Sequence, residues 1–383
     1  MPEKTPSVHQ TPEKEKKKLG DKIKGQLHEL QQELSKTKYN KRTQGAVGLL
    51  KAKIARLKEK SAARSKGGGG EGFQVRKTGD GTVILVGFPS VGKSTLLNAI
   101  TNAHSVVGAY AFTTLTVIPG VLEYGHAKIQ ILDVPGIVHG AASGRGRGKE
   151  VLATVLNSDL VVILLEVMSP EHLPVILREI ADMNIRINQR KPDVKIIKTG
   201  KGGIKVGFTF TPKKIDAATV REICREFRVN NADVVIREDI TEDQFIDIVE
   251  GNKKYLPALV VLNKVDAATP EQLERVRALC KPDIEISAQS GFNTDKLKKL
   301  IFDRLNLIRI YCKEMGKPAD MNEPMIAFRY STLEDMCNKL HKDFAQKFKY
   351  ARIWGKSVKF DGQKVLKLSH VLQDEDVMEI HLR

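Results

Sequence analysis

Residues Gly87 to Ser94 read Gly-Phe-Pro-Ser-Val-Gly-Lys-Ser, placed between the apolar run Val83–Val86 and the helix-forming stretch Thr95–Ile100. A buried strand, a glycine-rich loop and a helix start in that order restrict the chain to an α/β architecture. The glycines let backbone N–H groups turn inward around an anion, and the helix N-terminus adds a favourable dipole. Pro89, Ser90, Val91, Gly92, Lys93, Ser94 and Thr95 are the residues that would wrap it. Lys93 reaches toward β- and γ-phosphates, and the Ser94 hydroxyl suits Mg²⁺. A glycine turn after a buried strand is the blander alternative, and the rest of the chain argues against it.

Asp133-Val-Pro-Gly136 follows a second apolar strand, Lys128–Leu132. A carboxylate at such a strand end holds Mg²⁺ through water, and Gly136 donates its N–H to a γ-phosphate. Alone this pattern is weak, because a β-turn after a strand looks the same. Leu259–Leu262 then leads into Asn263-Lys264-Val265-Asp266. The Asp266 carboxylate accepts both the N1–H and the 2-amino hydrogens of guanine, a donor pair that adenine lacks. The Lys264 stem packs on the base face, and the turn at Ser287-Ala288 brings a backbone N–H to guanine O6. Four motifs in this order, each ending an apolar strand, predict GTP or GDP as the ligand with Mg²⁺ beside it. Between the first two lies Tyr110–Gly120, with Thr113 and Thr114. Thr114 is the better candidate to close on Mg²⁺ when a γ-phosphate is present; an edge strand rich in Thr is the alternative. Lys93, Thr114 and Gly136 would carry the phosphoryl chemistry, with Ser94, Thr114 and Asp133 around the metal.

Gly-Phe-Pro-Ser-Val-Gly-Lys-Ser, Phe112-Thr-Thr-Leu-Thr-Val-Ile-Pro-Gly120 and Asp133-Val-Pro-Gly-Ile137 resemble the Obg group of translation-factor GTPases. Within it the chain is most similar to the developmentally regulated GTP-binding (DRG) proteins and their archaeal relatives, from about residue 40 to the C-terminus. The resemblance implies a GTP-hydrolysing switch on the ribosome or ribosomal RNA, with a stabilising regulatory protein as a further partner. It also implies slow turnover. Many switch GTPases orient water with Gln after the D-x-x-G motif, and this chain has Ile137, as the Obg group does. Where relatives carry an acid two residues further on, this chain has His139. Arg145 and Arg147 in the glycine-rich Gly140–Gly148 loop are read as a basic loop rather than an arginine finger. Ser90 stands where potassium-activated relatives often carry Asn, which leaves room for K⁺.

At 383 residues the chain needs two to four domains. Cys224, Cys280, Cys312 and Cys337 have no C-x-x-C spacing, which argues against a zinc site or disulfide framework and for a reducing compartment. No apolar run reaches membrane-spanning length, so a cytoplasmic protein without a membrane partner is expected; a monomer that does not bind DNA is the further expectation. The net charge is +17, and residues 1–66 hold 18 Lys and Arg against 7 acids. Such a field favours a polyanion; a solubilising tail is the alternative for residues 1–18, which read as disordered.

Apolar spacings of three and four from Leu19 to Leu34 and from Val47 to Leu57 predict two short amphipathic helices in a hairpin, charged faces open to a partner. More than ninety residues separate the strand at Val161–Leu165 from that at Leu259, far beyond one crossover. Within them, strands on either side of Gly200–Gly203 suggest a hairpin, followed by a helix, a strand at Asp233–Arg237 and a second helix. The predicted organisation is a basic tail and helical hairpin (1–66), a P-loop GTPase domain in two parts (67–167 and 256–305), an inserted small α/β domain (168–255) and a C-terminal β-grasp-like domain (306–383). By resemblance the insert is similar to part of a ribosomal protein and the last domain to a TGS module, a type implicated in RNA or regulator recognition. Trp354 there reads as a core aromatic, with a base-stacking platform as the alternative. An RNA-binding protein with a structural nucleotide site is the competing function.

Overall fold

The computed structural model describes residues 12–38, 40, 43–64, 79–101, 118–133 and 155–383. The chain divides into two compact units, residues 1–71 with 190–254 and residues 72–189 with 255–383. Helix α1 (Pro12–Lys36) is followed by α2 (Gln44–Arg64), and the two pack together. Both are longer than the apolar spacing predicted, and α1 begins inside the segment expected to be disordered. Pro12 suits a helix start, where its missing N–H costs nothing.

Strand β1 (Gly81–Val86) is buried along its whole length and leads through the phosphate loop into α3 (Lys93–Ile100). Strands β2 (Ile118–Tyr124) and β3 (Ala127–Asp133) form an antiparallel pair, and β4 (Leu160–Glu166) runs parallel to β1. Helix α4 (His172–Asp182) and the short strand β5 (Ile185–Ile187) follow. Sequence reading placed both in the insert from residue 168. The structure keeps them with the GTPase, because Ile176, Ile180 and Ile185 pack on Ile84, Val86 and Ile163 of its sheet. An amphipathic helix does not announce in its sequence which of two cores it covers.

The insert proper holds β6 (Val194–Lys198), β7 (Ile204–Phe208), α5 (Ala217–Glu226), β8 (Ala232–Ile236) and α6 (Glu242–Glu250). Strands β6 and β7 do not form the expected hairpin. β8 lies between them, antiparallel to β6 and parallel to β7. Its Ala232, Val234 and Ile236 are all buried and take the centre of the sheet. α5 and α6 cover this face, each opened by a side-chain cap: Asp216 accepts from Thr219 N at 2.7 Å, and Thr241 with Gln244 makes a capping box. Helix α2 completes the layer. Its Ala52 joins the same core, while Lys51 and Arg56 pair with Asp243 and Glu226, both at 2.7 Å. Part of the hairpin's charged surface is therefore used within the unit rather than kept for a partner.

The chain returns through β9 (Lys254–Leu256), which pairs with β5, to β10 (Ala258–Asn263), α7 (Pro270–Cys280), β11 (Ile284–Glu285) and α8 (Thr294–Leu305). The six-stranded sheet has the order β11-β10-β4-β1-β3-β2, with β2 as its antiparallel edge. β1 thus has β4 on one side and β3 on the other, and the crevice where connections diverge lies above its carboxyl end. One face carries α3 and α8, the other α4 and α7.

The last domain holds β12 (Leu307–Cys312), β13 (Met325–Phe328), α9 (Leu333–Leu340), α10 (Phe344–Lys347), β14 (Phe348–Trp354), β15 (Gln363–Val365) and β16 (Val377–Leu382), in the order β13-β12-β16-β14-β15. Helices α9 and α10 are separated by a break at His341–Asp343. β12 follows α8 after one residue, Asn306, in the left-handed region. Leu307 and Ile326 join the GTPase core beside Leu305, so this domain shares packing with the GTPase rather than hanging from a tether. Trp354 is half-buried, with the Lys313 amine 4.3 Å from its ring centre.

Candidate functional site

The phosphate loop bends through two left-handed residues, Ser90 at φ 65° and Gly92 at φ 95°. Only glycine fits at 92, because a Cβ there would stand 2.4 Å from the Asn263 side-chain nitrogen. Val91 points its side chain into the core, leaving its carbonyl to the site. Pro89, Ser90, Ser94 and Thr95 are exposed, and Lys93 is half-buried at the first turn of α3. Its amine donates to the carbonyls of Gly87 (3.0 Å) and Phe88 (2.9 Å), so the lysine lies folded along the loop.

Asp133 ends β3 opposite the start of α3. One carboxylate oxygen accepts from the Ser94 hydroxyl at 3.2 Å. The other, Oδ1, is buried with no hydrogen-bond partner among the described residues. Burial pushes the Asp133 carboxyl up from its ordinary value, against the smaller opposing effects of the Lys93 charge and the Ser94 hydroxyl. Burial likewise pushes Lys93 down, with Asp133 opposing. Both groups lose more by leaving water than they gain from each other. An orphaned carboxylate oxygen beside a hydroxyl fits Mg²⁺, which takes few protein ligands and completes its shell with water and phosphate. No cluster of three or more His, Cys, Asp or Glu side chains suited to a metal occurs among the described residues.

On the other side of the loop the side chains are already satisfied. Asn263, buried at the end of β10, donates to the Val91 carbonyl at 2.9 Å and accepts from the Ala288 N–H at 3.0 Å. One amide thereby ties the phosphate loop to the Ser287-Ala288 turn. Lys264, left-handed at φ 62°, donates to the Ser90 carbonyl and to a Glu166 carboxylate oxygen, each at 2.7 Å. Asp266 stands exposed in a short 3₁₀ turn, Val265–Ala267. Ser287 is fully buried, and its hydroxyl accepts from Ser290 N at 3.2 Å. Phe88 stacks on His172, ring centres 3.7 Å apart.

The structure therefore gathers Pro89 to Thr95, Asp133, Asn263, Lys264, Asp266, Ser287 and Ala288 around the carboxyl ends of β1, β3 and β10. Thr114 and Gly136 lie outside the described residues. Sequence reasoning missed Glu166 and His172. Glu166 had a signal, an acid closing the otherwise apolar β4, and the structure adds its in-register pairing with Asn263. His172 had none, since its stacking depends on where α4 packs.

Residues 82–199 match a family described as 50S ribosome-binding GTPase, residues 201–307 the C-terminal region of that domain, and residues 308–382 the TGS domain. An uncharacterized GTP-binding protein of Methanocaldococcus jannaschii is 50% identical over 365 residues, covering 94% of this chain and 93% of its own. Developmentally-regulated GTP-binding protein 1 of Xenopus laevis is 44% identical, with 92% and 97% covered, and developmentally-regulated G-protein 3 of Arabidopsis thaliana is 44% identical over the same shares. With the phosphate loop, the Asp133 carboxylate and the Asn263–Asp266 turn gathered at the carboxyl end of one sheet, the chain is a guanine-nucleotide-binding GTPase and belongs to the DRG family of GTP-binding proteins.

Proposed function

We propose that this GTPase is a slow, Mg²⁺-dependent switch that acts in the cytoplasm on ribosomes or their RNA. The observation that carries the switch is the unfinished phosphate end of the site: among the described residues a buried Asp133 oxygen has no hydrogen-bond partner, and the Lys93 amine is held by loop carbonyls. Mg²⁺ bound between Ser94 and Asp133 would offset charge on the β- and γ-phosphates. Lys93 leaves the Gly87 and Phe88 carbonyls to meet the same phosphates. Asn263 holds the phosphate loop and base turn in register, and Asp266 selects guanine. Thr114 and the Gly136 N–H close on the γ-phosphate and release after hydrolysis, which ties loop position to nucleotide state. Ile137 offers no hydrogen bond to the attacking water, so an isolated chain turns over slowly and a partner that places water speeds it.

The net charge of +17 and the family description matched by residues 82–199 support the ribosomal half of the proposal. Co-sedimentation with ribosomes from a matched source, in GDP, a non-hydrolysable GTP analogue or no nucleotide, tests it at physiological salt. More protein should pellet with the analogue. Equal pelleting in all three states would replace the switch with a nucleotide-independent RNA-binding protein, since a ligand that leaves affinity unchanged shifts no equilibrium. Absence from every pellet would remove the ribosome from the account.

A further inference from the structure

The inserted sheet buries one face under α5 and α6 and leaves the other open. Alternation puts Val194, Ile196, Ile204, Val206, Ala232, Val234 and Ile236 inward. Lys195, Ile197, Lys205, Gly207, Asp233 and Val235 point outward. The ladders arrange these six in two rows, Lys195–Val235–Gly207 and Ile197–Asp233–Lys205. The two lysines stand at diagonal corners of a patch that is two strand spacings wide, about 10 Å. Lys195, Lys205 and Gly207 are exposed, and Ile197 is 48% exposed.

Gly207 is the anomaly. Its backbone is not left-handed, and a Cβ placed on it meets nothing within 4 Å. Neither conformation nor packing in this chain calls for glycine, which weakens a strand interior relative to almost any other residue. A strand glycine with open space above it leaves room for a ligand or another backbone to approach closely. The charge says which kind of molecule. Strands β6 and β7 and the turn between them carry Lys195, Lys198, Lys201 and Lys205 and no acid; Asp233 in β8 is the single acid of the three strands. The Asn231 side chain accepts from Gly203 N at 2.9 Å and its carbonyl from Thr199 N at 3.1 Å, so the lysine-bearing turn is pinned at both ends.

We propose that this open face of the inserted domain is a docking surface for the sugar-phosphate backbone of structured RNA. The floor of Val235, Ile197 and Gly207 admits a ribose edge, and the corner and turn lysines meet phosphates. No aromatic side chain points outward from the three strands, so the face has no platform on which to stack an unpaired base. It reads shape and charge, the mode by which double-helical RNA is recognised. The proposal gives the RNA-associated switch proposed above a second contact, remote in sequence from the basic N-terminal segment and from the TGS domain.

The test uses the full chain and a fluorescent blunt RNA hairpin of about 16 base pairs, the span of a double-stranded-RNA module. The double variant Lys195→Gln/Lys205→Gln should bind several-fold more weakly, with a plot of log affinity against log salt shallower by about two. Gly207→Val should also bind several-fold more weakly but keep the wild-type salt slope. Its melting temperature should hold or rise, because valine favours a strand and the space is empty. Variants that bind the hairpin like wild type would overturn the proposal, and so would a wild-type chain with no affinity for it. Poly-glutamate binding as tightly as RNA, and lost in the same variants, would assign the face to an acidic protein instead. Ribosome pelleting of the wild type is scored separately, so the switch can stand while this face falls.

Discussion

The two ends of the nucleotide site differ in how much they need a ligand. At the base end Asn263, Lys264, Ser287 and Ala288 are closed into hydrogen bonds by the protein itself. At the phosphate end Asp133 Oδ1 has no partner among the described residues, and burial disfavours the charged forms of both Asp133 and Lys93. Selectivity belongs at the finished end, because those bonds hold the turn that carries Asp266 before a base arrives, and a base without guanine's donor pair would leave that carboxylate unpaired. Sensitivity to nucleotide state belongs at the unfinished end, because only groups whose satisfaction depends on the ligand respond to it.

Variants at the two ends should therefore fail in different ways. The largest effect is expected from Lys93→Ala, with hydrolysis falling on the order of 10²–10³-fold as a transition-state charge donor is lost. Guanine preference among the nucleotides still bound should survive; a variant that confused bases would break the division between ends. Asp266→Asn should show the converse. The preference for GTP over ATP should drop by about 10²-fold or more in competition binding, while single-turnover hydrolysis of bound GTP stays near wild type. Undiminished selectivity would remove Asp266 as the base reader. Asn263→Ala should act on stability first. It leaves the Val91 carbonyl and Ala288 N–H without their partner in a buried setting, at about 2–4 kcal/mol. The melting temperature should fall with and without nucleotide, and a loss seen only with nucleotide would mean the tie forms on binding.

These motifs were legible because each combines a strand end with residues whose chemistry tolerates few substitutes. Gly92 could be read from the loop pattern, and the structure adds the Asn263 contact that forbids a Cβ. Less legible were features set by which surfaces meet. Ile176 and Ile180 give α4 an apolar stripe that would suit either core, so sequence alone starts the insert near 168 rather than after β5. The segment Lys195–Phe208 reads as a hairpin because β8, the strand that separates its halves, arrives only at Ala232. The basic N-terminal segment read as an accessory open to a partner, yet Ala52 lies in the core of the insert and Lys51 and Arg56 in its ion pairs. Deleting residues 1–66 would therefore uncover that core as well as remove charge, so substitutions at exposed lysines are the cleaner probe of RNA binding.

The smallest effect, and the one that most sharpens the contrast, concerns Asp133 without ligand. Burial raises its folded-state pKa. A raised carboxyl contributes stability that is complete below the unfolded pKa and is lost as pH rises through the folded value. Ionising Asp133 in the nucleotide-free protein thus carries a burial cost, and Asp133→Asn removes that charge. The variant should melt slightly higher than wild type at neutral pH without nucleotide, and the gap should close as acid protonates Asp133. With Mg²⁺ and GTP the order should reverse, since wild type gains the ligand's stabilisation in full while the amide forfeits the carboxylate's hold on the metal's water. Differential scanning calorimetry across pH, with and without nucleotide, reads both signs. A nucleotide-free variant less stable than wild type at neutral pH would mean that the Asp133 carboxylate is already well paired within the protein, and the phosphate end would then be as finished as the base end.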